Sequence, residues 1–522
     1  MTEAAARTYP DTYVDSVLLM AATRAMSAAP AVEWAAAVMG TAANLEDLRA
    51  AGIDAPPARA NDLVLAVRAT SVDEAQAGLD AGHETLAAAR AEAEAAGASG
   101  SMAIEAPRTL EDAAGALPDA NVAIVSVPGP YATLEAHKAL SAGLHVLLFS
   151  DNVSVEDEVA LKERGAGLGR LVMGPGAGTA MLGGTGLGFA NAVRSGRVGV
   201  VAAAGTGAQE VMCLLDRWGE GVSQAIGVGG RDLSGAVGGT MARVGLAALA
   251  GDPATEAILL VSKPPSPGVA AGLLAAAATG GPGKPVVAAL VGLAEPVAAP
   301  AGVVVTDTLE AGVVCTLRGL GVSVPDPSTG LASVVSASLA GLDPGRTAVL
   351  GLFSGGTLAY ESMVVMSRHL GPVHSNAPLE AAWGLPGPSG GHVCLDLGEE
   401  EYTRGRPHPM IDPGDRADRI AAAPRDPTVG VVLIDVVLGF GGHPDPASVL
   451  APACRSVTAR PTGPRVVAYV LGTEADPQVR SRQGAALEEA GCILAPTATR
   501  AALLAAAIVA RDPSIAQVRS PA

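Results

Sequence analysis

Short runs of Val, Ile, Leu and Ala, without polar residues at alternate positions, recur along most of the chain. Each run leads into a Gly-rich loop and then into a stretch with apolar residues at helical spacing, as in VGVVAAAGTGAQEVMCLL at 198–215. Strands without polar alternation are typical of a parallel sheet that helices cover on both faces. The pattern therefore predicts an α/β protein with right-handed crossovers.

The chain also matches itself in three pairs of segments that keep the same order. The pairs are GRVGVVAAAGTGAQEVMCLLDRWG from Gly196 with GRTAVLGLFSGGTLAYESMVVMSRHLG from Gly345, DPATEAILLVSKPPSPGVA from Asp252 with DPTVGVVLIDVVLGFGGHPDPA from Asp426, and GKPVVAALVGLAEP from Gly283 with GPRVVAYVLGTEADP from Gly463. A conserved order of matched segments indicates duplication, so we predict two flavodoxin-like domains. The second copy carries a Gly- and Pro-rich insertion, which we interpret as a functional loop.

The chain is too long for one ordinary core, and we divide it into four parts. We predict a small α+β module and linker at 1–100, a nucleotide-binding-type parallel-sheet domain at 101–192, and the duplicated domains at 193–335 and 336–522. In the first module, YVDSVLLM at 13–20 is predicted to be a strand. Ser71 is predicted to cap a helix that carries Asp73 and Glu74 in its first turn.

Composition excludes several classes of partner. The net charge of −18 and the 2% aromatic content argue against nucleic-acid binding. The five cysteines are scattered without a C-x-x-C spacing, which predicts neither a disulfide framework nor a zinc site. No leader or membrane-spanning stretch is visible, so we expect a cytoplasmic protein that binds small anionic metabolites and no membrane.

Two Gly-Thr loops of the repeat follow predicted strands, where parallel α/β sheets bind ligands. Amide groups at a helix start bind anions, and glycine lets the anion approach the backbone. A third Gly-rich loop lies at 439–443. The predicted phosphate-binding residues are Gly205, Thr206, Gly207, Ser354, Gly355, Gly356, Thr357, Gly441 and Gly442. The alternative is that these glycines only turn the chain.

Candidate catalytic side chains lie within and near the insertion. Arg404 and Arg406 are predicted to clamp a carboxylate or phosphate in fork geometry. His408 and His443 are predicted to move a proton, because the unperturbed pKa of histidine lies near working pH. Alternatively, the arginines pair with the glutamates at 399–401 and His443 caps a turn. We predict no metal, although a site formed by His408, Asp412 and His443 stays an alternative.

Five segments closely resemble the FdrA family, a branch of the succinyl-CoA synthetase superfamily. They are IGVGGRDLS at 226–234, SKPPSP at 262–267, LFSGGTLAYES at 352–362, YTRGRPHPMIDP at 402–413 and GFGGHPDP at 439–446. The resemblance runs from about residue 10 to 510 and implies a nucleotide-type domain followed by two CoA-ligase-like domains. In the synthetases, two opposed helix starts hold the phosphate of a phosphohistidine. By resemblance, GTGAQE at 205–210 and either SGGT at 354–357 or GFGGH at 439–443 occupy those places.

Departures from the synthetase pattern change the expected reaction. The region after the KPVV strand contains no His, and the chain has neither an ATP-grasp domain nor a Walker loop. The resemblance then implies a carbamoyl or acyl transferase subunit that works through carbamoyl or acyl phosphate, as when oxalurate and phosphate give oxamate and carbamoyl phosphate. Phosphate or carbamoyl phosphate is the expected substrate, and no cofactor is expected. CoA is not expected either, because the CoA loop of the synthetases has no clear counterpart.

Two alternatives stay open. Gly176 and Ala177 replace the Asp or Asn and Cys that related sequences carry, and Ala204 replaces a Ser, which favours a non-catalytic, self-assembling or regulatory protein. The second alternative is an ATP-dependent acyl-CoA synthetase. As partners we expect further copies of the chain and other transferase subunits.

Overall fold

The computed structural model describes residues 2–14, 16–97, 107–279, 283–293, 297–403 and 407–518. The chain separates into two compact units, one of residues Met1–Ala106 with Glu400–Pro407 and the other of residues Pro107–Glu399 with His408–Ala522. None of the described helices is long and apolar enough to cross a membrane.

The first unit contains a three-stranded antiparallel sheet with the order β1-β3-β2. Its elements are β1 (Glu3–Tyr9), α1 (Ser16–Ser27), β2 (Val32–Met39), α2 (Ala42–Ala50), β3 (Leu63–Ala69) and α3 (Val72–Gly97). The strand predicted for YVDSVLLM is wrong, because α1 begins inside it and buries Leu19, Ala22 and Met26 at helical spacing. The predicted cap of α3 is confirmed, since the N–H of Glu74 donates to Ser71 Oγ over 3.3 Å.

The second unit begins with a three-stranded parallel sheet, ordered β4-β5-β6. Its elements are α4 (Leu110–Ala116), β4 (Val122–Val125), α5 (Gly129–Ser141), β5 (His145–Leu148), α6 (Val155–Gly167) and β6 (Val172–Met173). Lys162 of α6 is fully buried, and its ammonium group donates to Glu158 over 2.7 Å and to Asp232 over 2.8 Å. Asp232 belongs to the next domain along the chain, so this ion pair ties α6 to that domain.

A seven-stranded sheet follows, with the order β13-β12-β11-β9-β10-β7-β8. Its elements are β7 (Thr179–Leu182), β8 (Thr185–Gly188), β9 (Ser195–Ala203), α7 (Gly205–Arg217), β10 (Val222–Gly227), α8 (Thr240–Gly251), β11 (Ala257–Ser262), α9 (Pro267–Thr279), β12 (Val286–Leu290), β13 (Val303–Thr306), α10 (Leu309–Gly319) and α11 (Leu331–Leu339). Strands β9 to β13 are parallel in flavodoxin order, and the β7-β8 hairpin adds an antiparallel edge.

The last sheet has six parallel strands in the order β15-β16-β14-β17-β18-β19. The remaining elements are β14 (Ala348–Phe353), α12 (Gly356–Leu370), β15 (Val373–Ser375), β16 (His392–Asp396), α13 (Glu400–Thr403, in the first unit), α14 (Gly414–Ala422), β17 (Val429–Val437), α15 (Pro446–Thr458), β18 (Arg465–Leu471), α16 (Arg480–Glu489), β19 (Ile493–Leu494) and α17 (Ala498–Ala510).

The matched segments occupy equivalent places in the two large sheets. Strands β9, β11 and β12 neighbour one another in the first, as β14, β17 and β18 do in the second. The predicted α/β class with duplicated flavodoxin-like domains is therefore confirmed. The insertion is only partly a loop, however. Its HVCLD segment forms β16, because the short apolar run hydrogen-bonds directly to β14.

Two buried glutamates at equivalent positions of the repeat join the duplicated domains. Glu361 Oε1 accepts a hydrogen bond of 2.7 Å from the N–H of Leu309, the first residue of α10. Glu210 Oε1 accepts one of 3.4 Å from the N–H of Ala498, the first residue of α17. Each carboxyl group thus binds the start of the last long helix in the other domain, and the two contacts are related by the duplication.

Candidate functional site at two paired helix starts

The two Gly-Thr loops meet in the structure. Helix α7 begins at Gly205 and α12 begins at Gly356, and in neither helix does the preceding residue supply a side-chain cap. The N–H of Thr357 donates to Thr206 Oγ1 over 3.3 Å, and both threonines are buried. Two helix starts with partial positive charge therefore lie against each other at the carboxyl ends of β9 and β14.

Glycine is required for this close approach. A Cβ on Gly355 would lie 2.6 Å from Thr206 Cγ2, which is too close for any side chain, and a Cβ on Gly207 would lie 3.0 Å from Thr357 Cγ2. By contrast, a Cβ on Gly205 would meet no atom within 4 Å. Gly355 and Gly207 let the loops touch, whereas Gly205 faces open space.

An internal carboxylate occupies part of the second loop. The N–H groups of Ser354 and Gly355 donate to Asp435 over 2.8 and 2.9 Å, and the Ser354 hydroxyl donates to the same carboxylate over 2.9 Å. Arg416 completes a buried ion pair with Asp435 at 2.9 Å. These two amides hold an anion of the chain itself, so an external anion would meet the loops at Gly205 and Gly356, which are exposed and half-exposed.

Asp396 lies at the start of α12, although sequence reasoning did not single it out. It ends β16, and a Cβ on Gly356 would collide with its Oδ2. Burial, with the negative charge of Glu399, raises the pKa of Asp396 to about 6, while the ammonium group of Lys263 opposes the shift. Lys263 directly follows β11, within the SKPPSP segment. Asp396 and Lys263 could both have been found from the sequence, because each is a polar residue at the carboxyl end of a buried strand.

His408 reaches the same place, and its ring is neutral at working pH. Burial and the charge of Arg416 lower the pKa of His408 to about 4, so the expectation of a pKa near working pH is wrong for this residue. Its Nδ1 accepts from the N–H of Met410 over 3.2 Å, which places the proton of the neutral ring on Nε2. A Cβ on Gly398 would lie 2.8 Å from that Nε2 and 3.2 Å from Asp396 Oδ1.

His443 is linked to His408 through Met410 and serves a turn. Its N–H donates to the Met410 carbonyl over 2.8 Å, and its Nδ1 accepts from the N–H of Asp445 over 3.1 Å. The preceding glycine loop is fixed by Gln478, which exchanges hydrogen bonds of 3.1 and 2.8 Å with Gly439. Gly441 has a φ of +79°, and Gly442 lies partly exposed beside His443.

Arg404 and Arg406 lie outside the described residues. Among the residues that are described, no group of three or more His, Cys, Asp or Glu side chains is arranged to hold a metal. The alternative metal site of His408, Asp412 and His443 is therefore not formed.

Two protein-family models match the chain. A CoA-ligase family covers residues 352–508, and the family described as AllF, heavy metal-associated domain, covers residues 1–102. The second name implies a metal, but the residues present do not fit one. Residues 1–102 contain no cysteine, and their single histidine, His83, stacks on the ring of Tyr9 at a centroid distance of 5.3 Å.

Individual relatives extend these matches. The uncharacterized protein YahF of Escherichia coli is 39% identical over 509 residues, which are 95% of this chain and 96% of YahF. The alpha subunit of an ADP-forming succinate–CoA ligase from Methanothermobacter thermautotrophicus is 28% identical over 149 residues, covering 28% of this chain and 49% of that subunit. A solved structure of a dinucleotide-forming acetyl-coenzyme A synthetase 1 from Ca. Korarchaeum cryptofilum aligns with a TM-score of 0.30 and 16% identity, over 81% of this chain and 90% of that one. The chain thus belongs to the same family as YahF, within the succinyl-CoA ligase-like superfamily.

Proposed function

We propose that the chain is a carbamoyl or acyl transferase subunit of the FdrA type, which transfers a carbamoyl group between oxalurate and phosphate without a phosphohistidine. The observation that carries the proposal is the contact between the starts of α7 and α12 through Thr206 and Thr357. Backbone amides at two adjoining helix starts favour a small anion, and a phosphate bound there needs no covalent carrier.

The solvent-facing side of the paired helix starts combines backbone amides that can bind an anion with side chains that can bind or release a proton. Gly205 and Gly356 present their backbone to solvent, and Lys263 adds a positive charge close to Asp396. Phosphate binds at the helix starts with support from Lys263. Arg404 and Arg406, in the segment that joins Thr403 to His408, are the proposed clamp for the carboxylate of oxalurate.

The proposed reaction is one displacement. A phosphate oxygen attacks the carbamoyl carbon of oxalurate, the bond from that carbon to the oxamate nitrogen breaks, and the nitrogen takes up a proton. Carbamoyl phosphate and oxamate leave. Asp396, with a pKa of about 6, supplies that proton. His408, which stays neutral, donates a hydrogen bond from Nε2 to the developing oxyanion.

Turnover of oxalurate by the purified full chain, alone and with partner transferase subunits, tests the proposal. Oxalurate and phosphate are expected to give carbamoyl phosphate and oxamate, and Asp396→Asn is expected to lower kcat by about 10²-fold or more. Asp418→Asn, an exposed aspartate on α14, is the matched control and keeps full activity.

A chain that turns over no ureide in either direction, alone or assembled, and binds no carbamoyl phosphate contradicts the proposal. That result favours the self-assembling or regulatory alternative, which predicts symmetric or filamentous particles. One observation favours this alternative already, since Asp435 occupies amides that a ligand would otherwise use.

A further inference from the structure

A cavity lies in the second unit, away from the paired helix starts. It has a volume of about 630 Å³, within the range of small-molecule sites. It lies where the end of α7 approaches the loop after β18 and the first residue of α16. The residues that line it and matter here are Arg194, Asp216, Arg217, Thr473, Glu474 and Arg480. Since Arg217 ends the helix that Gly205 begins, the two sites lie about 18 Å apart along α7.

The carboxylates of this cavity are already engaged. Asp216 accepts from the side-chain Nε and from the backbone N–H of Arg194, both over 2.9 Å. Glu474 accepts from the hydroxyl of Ser481 over 2.7 Å. The cavity's two other arginines, Arg217 and Arg480, have no carboxylate within ion-pair distance among the described residues.

The guanidinium groups of Arg217 and Arg480 retain unused donors. Arg217 donates from Nη1 to the carbonyl of Pro496 over 2.5 Å and from Nη2 to the Tyr469 hydroxyl and the Gly472 carbonyl over 3.5 Å, while its Nε is buried without a partner among the described residues. Arg480 is half-buried and uses only its Nε, which donates to the carbonyl of Val470 over 3.3 Å. Burial and repulsion from Arg217 lower the pKa of Arg480. Glu210 helps to raise the pKa of Arg217, and Glu474 and Glu210 oppose the lowering of the pKa at Arg480, but neither arginine forms a close ion pair among the described residues. Both guanidinium groups are therefore only partly neutralised, and a bound anion would complete their neutralisation.

The backbone at the rim is also strained. Val479, which precedes Arg480, has a φ of +57°, in a region that β-branched residues avoid. This conformation brings the N–H of Arg480 to the carbonyl of Thr473 at 3.1 Å, so Arg480 is fixed against the loop that forms the cavity wall. Strain of this kind concentrates at ligand sites.

We propose that this cavity binds a small anionic metabolite through the guanidinium groups of Arg217 and Arg480, at a site separate from the paired helix starts. A carboxylate and a phosphate share the chemistry that two guanidinium groups recognise, since both accept paired hydrogen bonds. The volume leaves room for an organic body beside the anionic group.

Titration calorimetry of the full chain with malonate and with inorganic phosphate tests the site. Tighter binding of malonate indicates a carboxylate ligand, and tighter binding of phosphate at this site indicates a phosphorylated one. Arg480→Gln is expected to weaken binding of the preferred probe about tenfold or more, because one charge-assisted contact is lost. Arg197→Gln, whose partners Glu220 and Glu256 lie outside the cavity, leaves binding unchanged.

Equal affinity of the wild type and Arg480→Gln for both probes, or no binding by the wild type at millimolar concentration, overturns the proposal. If Arg480→Gln does not fold, Arg480→Lys replaces it, because lysine keeps the charge but loses the paired donors, and weaker binding is again expected. Gly355→Ala separates this site from the proposed transferase site: it is expected to keep malonate binding while carbamoyl transfer is lost.

Discussion

Replacing Glu361 with Gln should stabilise the protein at neutral pH. Glu361 is 1% exposed, and burial together with the nearby Glu210 and Glu310 raises its pKa to about 8. Its Oε1 accepts from the N–H of Leu309 over 2.7 Å and from the hydroxyl of Thr499 over 3.2 Å. Gln keeps an oxygen for both bonds and has the shape of the protonated acid, but it does not titrate.

The magnitude follows from proton linkage. Because the pKa of Glu361 rises from 4.5 in the unfolded chain to about 8 in the folded one, its contribution to stability is complete below pH 4.5. That contribution is lost as the pH rises toward 8, at about 1.4 kcal/mol per pH unit. At pH 7 the loss amounts to about 3 kcal/mol, and Gln avoids it.

Urea unfolding at several pH values between 5.5 and 7.5 measures the difference in free energy between the two proteins. The advantage of Glu361→Gln is expected to grow steadily with pH across this range. Glu310→Gln is the contrasting variant, because Glu310 pairs with the buried Arg500 at 3.0 Å and its loss costs about 3–5 kcal/mol. Parallel stability curves for the wild type and Glu361→Gln would refute a raised pKa at this position.

Three further predictions concern the paired loops. Gly355→Ala should lower the free energy of unfolding by about 1–3 kcal/mol in urea titrations and abolish transfer, because its methyl group would collide with Thr206. Gly205→Ala is the control and should leave the free energy of unfolding unchanged, because open space surrounds Gly205. Equal effects of the two substitutions would contradict this geometry. Asp435→Asn should cost about 3–5 kcal/mol in the same assay by leaving Arg416 buried without a counter-charge, and a neutral result would contradict the ion pair. Transfer from oxalurate should fall as the pH rises through about 6, where Asp396 loses its proton, and a rate that is flat between pH 5 and 8 would exclude it as the acid.

The duplication could be predicted from the sequence because the matched segments recur in the same order. Matching Val-rich runs give the same strand neighbours in both large sheets, and parallel strands place their carboxyl ends at one edge. Local pattern and duplication therefore predicted the fold. The meeting of the two loops was instead implied by the resemblance to the synthetases, because equivalent strands in two separate sheets do not by themselves bring their loops into contact.

Features that depend on residues far apart in the chain could not be predicted from the sequence. Asp435 reaches Ser354 from 81 residues away, and no local pattern indicates that a carboxylate fills the second loop. The lowered pKa of His408 arises from burial and from Arg416, neither of which is visible in TRGRPHPMIDP. Strand β16 was hidden because its five residues lie between Gly- and Pro-rich segments that suggest a loop.

Anomalous diffraction from crystals of the full chain soaked in selenate, an isostere of phosphate, shows whether the paired helix starts bind an anion. We expect a selenium peak about 4 Å from the backbone nitrogens at the exposed start of α7, with the selenate oxygens about 3 Å from those nitrogens, beside Gly356 and within reach of Lys263. Crystals that take up selenate elsewhere, with no peak at the paired helix starts, would contradict this expectation.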